Sequence, residues 1–130
     1  KSRPVQPTAS AQVADTDIAF MGLTEVAQAI AQRKISSLEV TQTCLQRIAQ
    51  WQPSRKAFIR IDGEAALAAA RRADAQLAQR SFQPGPLHGV PLAHKDLFYR
   101  SGQVSTCGSL IRRDWRADTG RHAARHRYFP

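Results

Sequence analysis

The reading of this chain turns on the stretch Gly85-Pro86-Leu87-His88-Gly89-Val90-Pro91-Leu92-Ala93-His94-Lys95-Asp96. It opens inside Gln83-Pro84-Gly85-Pro86, a run that breaks all periodicity and predicts a loop. Val90-Pro91-Leu92-Ala93 is short and apolar. Pro91 has no N–H to give to a ladder, so the run reads as an irregular strand or a strand end. Lys95 closes it and is the one lysine between Lys56 and the C-terminus, in a chain that otherwise uses arginine. Following an apolar run, its stem is expected to point into packed structure. An amine held away from water gives up its proton more readily. It can then accept a proton from a hydroxyl, a role closed to arginine. The other reading is a surface lysine paired with a carboxylate such as Asp96. His88 and His94 flank the run and read as structural or supporting residues. Asp96 reads as a brace for the following turn rather than as an acid or base.

Working upstream, Leu23, Val26, Ala27 and Ile30 fall on one helical face, with Thr24 available as cap and Glu25 suited to the positive end of the helix dipole. Ser36-Ser37-Leu38-Glu39 is a capping box in which Ser36 and Glu39 satisfy each other's backbone N–H groups. Leu38, Thr41, Cys44, Leu45 and Ile48 then share a face until Pro53, which is expected to stop the helix. Arg33-Lys34-Ile35 joins the two helices into a hairpin. Ala57-Phe58-Ile59-Arg60-Ile61 reads as a short strand. Asp62 is expected to cap a third, alanine-rich helix with Ala66, Ala70, Ala73 and Leu77 on its packed stripe and Arg71, Arg72, Gln76 and Arg80 on its wet side. Gly102 and Gly108-Ser109 mark turns. Helix, helix, strand, helix, loop, strand is an α/β order.

The 130 residues carry 19 Lys and Arg against 10 Asp and Glu, a net charge of +9. Charged residues at 22% and hydrophobic ones at 42% exclude a disordered polyelectrolyte. No apolar run approaches the roughly 18 residues of a spanning helix, and no apolar signal-peptide core is visible near the start. Position 1 is Lys, so the start is read as processed or incomplete. Much of the charge sits at the ends: Lys1 and Arg3 in front, and Arg112, Arg113, Arg116, Arg121, Arg125 and Arg127 behind. Residues 1–16 are expected to be a flexible leader, 17–116 a domain and 117–130 a basic tail. Cys44 and Cys107 are too far apart in sequence for a zinc or redox motif, so free thiols in a reducing cytoplasm are expected. His122 and His126 have helical ligand spacing but no third ligand near them, and read as solvated. No metal or cofactor is implied.

Gly85-Pro86-Leu87-His88-Gly89-Val90-Pro91 running into Lys95-Asp96, then Gly102 and Thr106-Cys107-Gly108-Ser109, resembles the amidase signature family. Ile35-Ser36-Ser37-Leu38-Glu39-Val40, Arg47-Ile48, Ala57-Phe58-Ile59 and the alanine-rich helix follow the same order as that family's N-terminal region. The resemblance covers roughly residues 20–116 in one register. It implies an α/β fold of helices packed on a mixed β-sheet, of which this is an N-terminal part. It also implies a Ser–cis-Ser–Lys hydrolase of carboxylic amides working through an acyl-enzyme on a small-molecule amide substrate. Lys95 matches the catalytic lysine, which takes a proton from a serine that activates the nucleophile. Both family serines belong to a Gly/Ser-rich segment that is missing here. Ser101, Ser105 and Ser109 do not replace them, and no nucleophile is assigned.

Read this way, the chain is truncated before its nucleophile, inactive alone, cytoplasmic and free of membrane partners. An incomplete sheet would leave an unpaired edge and an uncovered apolar face, so marginal stability is expected. Two alternatives stand beside this reading. One is the A subunit of the glutamyl-tRNA amidotransferase, which shares the motif. The other is a small basic protein that holds nucleic acid through its arginine tail; the absence of a recognition helix weighs against it. Beyond Asp118 the sequence becomes rich in Arg, His and Ala without pattern, as a GC-rich reading frame does when shifted. A frameshift or early stop near residue 119 predicts that translating the underlying gene in its other frames yields an amidase-like continuation. Finding none in any frame would reject it.

Overall fold

The computed structural model describes residues 18–117; the leader 1–16 and the tail beyond Ala117 lie outside the described residues, as do His122 and His126. The chain divides into two compact units, Lys1–Pro91 and Leu92–Pro130.

In the first unit, α1 spans Leu23–Ala31, α2 Ser37–Arg55 and α3 Gly63–Leu77. Val26, Ala29 and Ile30 turn inward from α1, joining Ile18, Ile35 and Val40 in a core that Met21, Leu77 and Val90 cover. The expected inner face is therefore displaced: Ala29 takes the place given to Leu23, which is 54% exposed. Thr24 is not the cap. Gly22 holds the N-cap position, and its N–H donates to Glu25 Oε2 at 2.7 Å. The helix closes as a Schellman turn, with Lys34 N–H on the Ala29 carbonyl and Arg33 N–H on that of Ile30, both at 2.9 Å. Arg33 adopts φ 57°, a left-handed conformation usually left to glycine. Its guanidinium then reaches the carbonyl of Leu77, at the C-terminal end of α3. A glycine could not make that link.

At the start of α2, three N–H groups have no partner within the helix, and each is met. Ser37 and Leu38 donate to the two carboxylate oxygens of Asp74 at 2.7 and 3.1 Å. Glu39 donates to Ser36 Oγ at 3.0 Å, while Ser36 N–H donates to Glu39 Oε2 at 2.7 Å, so the capping box forms. Pro53 does not stop the helix. It sits in the last turn, and the helix ends where Lys56 turns left-handed at φ 48°. The packed face of α2 mixes polar and apolar residues: Ser37, Val40, Thr41 and Thr43 are buried and Leu38, Leu45 and Ile48 half-buried, whereas Cys44 is exposed. α2 packs along α3. On α3 the small-residue stripe faces inward as expected, with Ala70 buried and Ala66, Ala73 and Leu77 half-buried, while Arg71, Arg72, Gln76 and Arg80 are exposed. Asp62 sits at the N-cap, yet its carboxylate makes no cap bond and pairs with Arg60 at 2.6 Å.

The mixed sheet is the largest correction. Among the described residues there is no strand, and the ordered elements are three helices and a 3-10 turn at Leu110–Arg112. Residues 57–61 form no ladder, and the chain bends at Ile59. The side chain of Gln52 takes the neighbour's part at one residue only, accepting from Phe58 N–H at 3.0 Å and donating to its carbonyl at 2.6 Å. Ile59 is left 80% exposed. Residues 90–93 are likewise irregular.

The loop Gly85–Pro91 docks on this unit. His88 N–H bonds the Gly85 carbonyl at 3.1 Å and Val90 N–H that of Leu87 at 3.2 Å, folding the segment into two turns. Ser37 Oγ donates to the Gly89 carbonyl. Gly89 has φ 77°, and a Cβ there would stand 3.1 Å from Ser37 Cβ and 3.3 Å from Ile30 Cγ2. His88 Nε2 donates to the Ala73 carbonyl at 3.0 Å, its ring 4.8 Å from that of Phe82. The first half of the motif is thus scaffold. Gly89→Ala, strained in its backbone and crowded, and Asp74→Ala, which strands two N–H groups, should each lower unfolding free energy by about 1–3 kcal/mol. Urea denaturation followed by circular dichroism checks this; unchanged midpoints would contradict it.

Candidate active site

Lys95 lies in the second unit. The expectation that an apolar run carries its stem into packed structure is not met: Leu92, Ala93, His94 and Lys95 are all exposed. Leu92 is 59% exposed, so the run before the lysine has no core of its own to enter. The backbone around Lys95 is nevertheless pinned. Its carbonyl accepts from Leu97 N–H at 2.7 Å and Phe98 N–H at 3.1 Å.

Asp96 is bonded through both its carboxylate and its carbonyl, and it braces the turn as expected. Its carboxylate accepts from Thr106 N–H at 2.9 and 3.2 Å and from the Thr106 hydroxyl. Its carbonyl accepts from Cys107 N–H at 3.1 Å and Ser105 Oγ at 3.4 Å. Gly108 N–H donates to Thr106 Oγ1 at 3.1 Å, closing the knot, while Cys107 and Gly108 take φ 52° and 76°. These two left-handed residues follow Thr106 directly and turn the chain back on its hydroxyl. Those bonds, the Thr106 hydroxyl foremost, hold the Asp96 carboxyl below its ordinary range. Ser105 is buried with its hydroxyl turned to a carbonyl, and Ser101 is exposed.

A second cluster closes the unit. The Arg112 guanidinium lies 4.1 Å from the Trp115 ring centre and 5.1 Å from that of Tyr99, whose hydroxyl it meets at 3.0 Å. It also donates to Cys107 Sγ at 3.4 Å. Paired backbone runs from Ser101 to Ala117 and from Val104 to Arg116. The roles of Thr106 and Arg112 have no sequence signal beyond the Thr-Cys-Gly-Ser segment. His94 is exposed, its ring edge-on to Phe98 at 6.3 Å. In the first unit, an open cavity of about 390 Å³ is lined by Arg33, Lys34, Ser36, Glu39, Asp74 and Leu77. Arg33, Ser36, Glu39 and Asp74 are already engaged in caps there, so it offers few free groups to a ligand. Among the described residues no helix is long and apolar enough to cross a membrane, and Cys44 and Cys107 are free.

Residues 39–125 match the model of the amidase family. The chain belongs to that family. The A subunit of the glutamyl-tRNA(Gln) amidotransferase of Azoarcus sp. (strain BH72) is 48% identical over 93 residues, 72% of this chain and 19% of that protein. "Putative amidase AmiD" of Mycobacterium tuberculosis (strain ATCC 25618 / H37Rv) is 43% identical over 99 residues, 76% of this chain and 21% of that protein. No solved structure matches the chain. The amidase chain thus spans about a fifth of the length of these relatives.

The sign of the pH dependence at Asp96 follows from its lowered carboxyl. Stability from the knot is fully present above the unfolded carboxylate value of about 3.9 and is lost as pH falls through the lower folded value. The Thr106 amide resonance should therefore titrate with a midpoint below about 3.9. A midpoint at or above that value would mean the carboxylate is not held.

Proposed function

We propose that this chain is the N-terminal part of a carboxylic-amide hydrolase in which Lys95 is the base. The observation that carries the reading is the family match spanning the Gly-Val-Pro to Lys-Asp stretch, in a chain that covers about a fifth of its relatives. In this reading Lys95 takes a proton from a serine hydroxyl supplied by the remaining polypeptide. The serine nucleophile forms an acyl-enzyme with release of ammonia or an amine, and water hydrolyses the ester. Backbone N–H groups beside the nucleophile hold the oxyanion. The mixed sheet and the desolvation of the exposed lysine both come from that remaining polypeptide. The second reading, favoured by the 48% identity to the Azoarcus protein, makes the whole protein the A subunit of an amidotransferase. Co-purification with partner subunits separates the two.

The 130-residue chain alone should release no ammonia from simple carboxylic amides. A hybrid in which residues 18–117 replace the matching stretch of a full-length amidase relative should hydrolyse them. There, Lys95→Ala should cost about 10²–10⁴-fold in rate, the usual share of a positioned acid or base. Lys95→Arg should fail equally. A hybrid indifferent to Lys95→Ala overturns the assignment. Ammonia from the lone chain, abolished by Lys95→Ala, overturns the need for an outside nucleophile.

A further inference from the structure

We propose that Asp96 and Thr106 are positioning residues for Lys95, fixing the direction from which its amine is presented. The inference rests on the proposed role of Lys95 and adds to it what holds the base in place. A lysine side chain has four rotatable bonds, and an exposed one sweeps a wide volume. A base of that kind is useful only when its anchor is fixed.

Lys95 combines an exposed side chain with a backbone tied on its C-terminal side. Two N–H groups close on its own carbonyl. The next residue is held at both ends, its carboxylate by the Thr106 N–H and hydroxyl and its carbonyl by Cys107 N–H and Ser105 Oγ. Ser105 is 2% exposed, so this anchor sits on the best-buried side chain among the described residues of the unit. The knot joins positions ten apart in sequence, and two left-handed residues follow directly after it. Asp96 is spent on these bonds and faces no reacting group; it acts through the direction of its neighbour.

The experiment has two arms. In the 130-residue chain, hydrogen exchange at the Thr106 amide should be protected and should become fast in Asp96→Ala; free exchange in the unaltered chain overturns the proposal. In the active hybrid, Asp96→Ala should lower kcat by about 10–100-fold, the scale of a base displaced by about an ångström, with KM changed less than about twofold. Thr106→Val keeps the backbone and removes the hydroxyl's two bonds, to Asp96 and from Gly108 N–H, so it should lower kcat by about tenfold, and Thr106→Ser should restore it. A merely structural role predicts instead that kcat and KM move together and that Ser and Val behave alike. Either result, or unchanged kcat in Asp96→Ala while Lys95→Ala is inactive, overturns the positioning role. Full activity in Lys95→Ala would overturn the proposed function instead, so the two failures are distinguishable.

Discussion

Three backbone N–H groups at the head of α2 have no acceptor in their own helix, and the first of them belongs to a residue that is 1% exposed. Water cannot serve such a group, and leaving it bare would cost about 1–3 kcal/mol. Asp74 removes that cost for two of the three from the neighbouring helix, at a point where a negative charge is also favoured by the helix dipole. Much of the first unit follows. With Asp74 fixed on the head of α2, α3 has its register along α2 set. Ala73, next in the chain, then presents its carbonyl to His88. Ser37, held by its N–H, turns its hydroxyl to the carbonyl of Gly89. The loop that carries the family motif is thus placed by the same carboxylate that caps a helix.

The return path runs through Arg33. A left-handed arginine costs about 1–2 kcal/mol in backbone energy. It is offset by a guanidinium on a carbonyl at the negative end of α3, and by a Schellman turn whose two bonds would be available to any residue in that conformation. α3 is therefore tied to the hairpin at two places, a carboxylate leaving it for α2 and an arginine arriving from the hairpin connection. The buried hydroxyls on the inner face of α2 fit this arrangement. Ser37 is buried because it has two jobs. Thr43 is the exception, its hydroxyl buried without a partner among the described residues, and nothing in the structure explains it.

Features closed within one turn of helix are legible in the sequence, and those closed across the fold are not. The Ser36–Glu39 box forms because its partners are three residues apart, and the alanine stripe of α3 faces inward because helical spacing alone defines it. The Asp74 cap joins residues 37 apart and leaves no local trace. Asp62 has the right residue type at the right position and still spends its carboxylate on Arg60, because a formal charge nearby outcompetes a weak cap. Pro53 fails as a stop signal because, in the last turn, the missing N–H and the ring's steric demand cut short little helix. The strand at 57–61 fails for a deeper reason. β-propensity describes fit to a neighbouring strand, and with none present among the described residues the same β-branched residues stay irregular and wet. The family resemblance rests on type and order, which survive that failure, and the match over residues 39–125 bears it out.

The exposure of Lys95 and the lack of a sheet among the described residues have one physical cause. An apolar run implies burial only if there is enough polypeptide to enclose it, and the fraction of surface a chain can bury falls with its size. Leu92, Leu110 and Ile111, 59%, 86% and 96% exposed, meet that limit together with Lys95. What a small unit can do without a large core is fix a backbone, since hydrogen bonds between near neighbours need little enclosure. The Asp96 knot is built in that way, from a carboxylate, a threonine and two left-handed residues, and it needs no sheet behind it. Direction and desolvation of an amine are thus separable in this fold. The first can be set locally by residues 95–108, whereas the second demands walls that a unit of this size cannot raise.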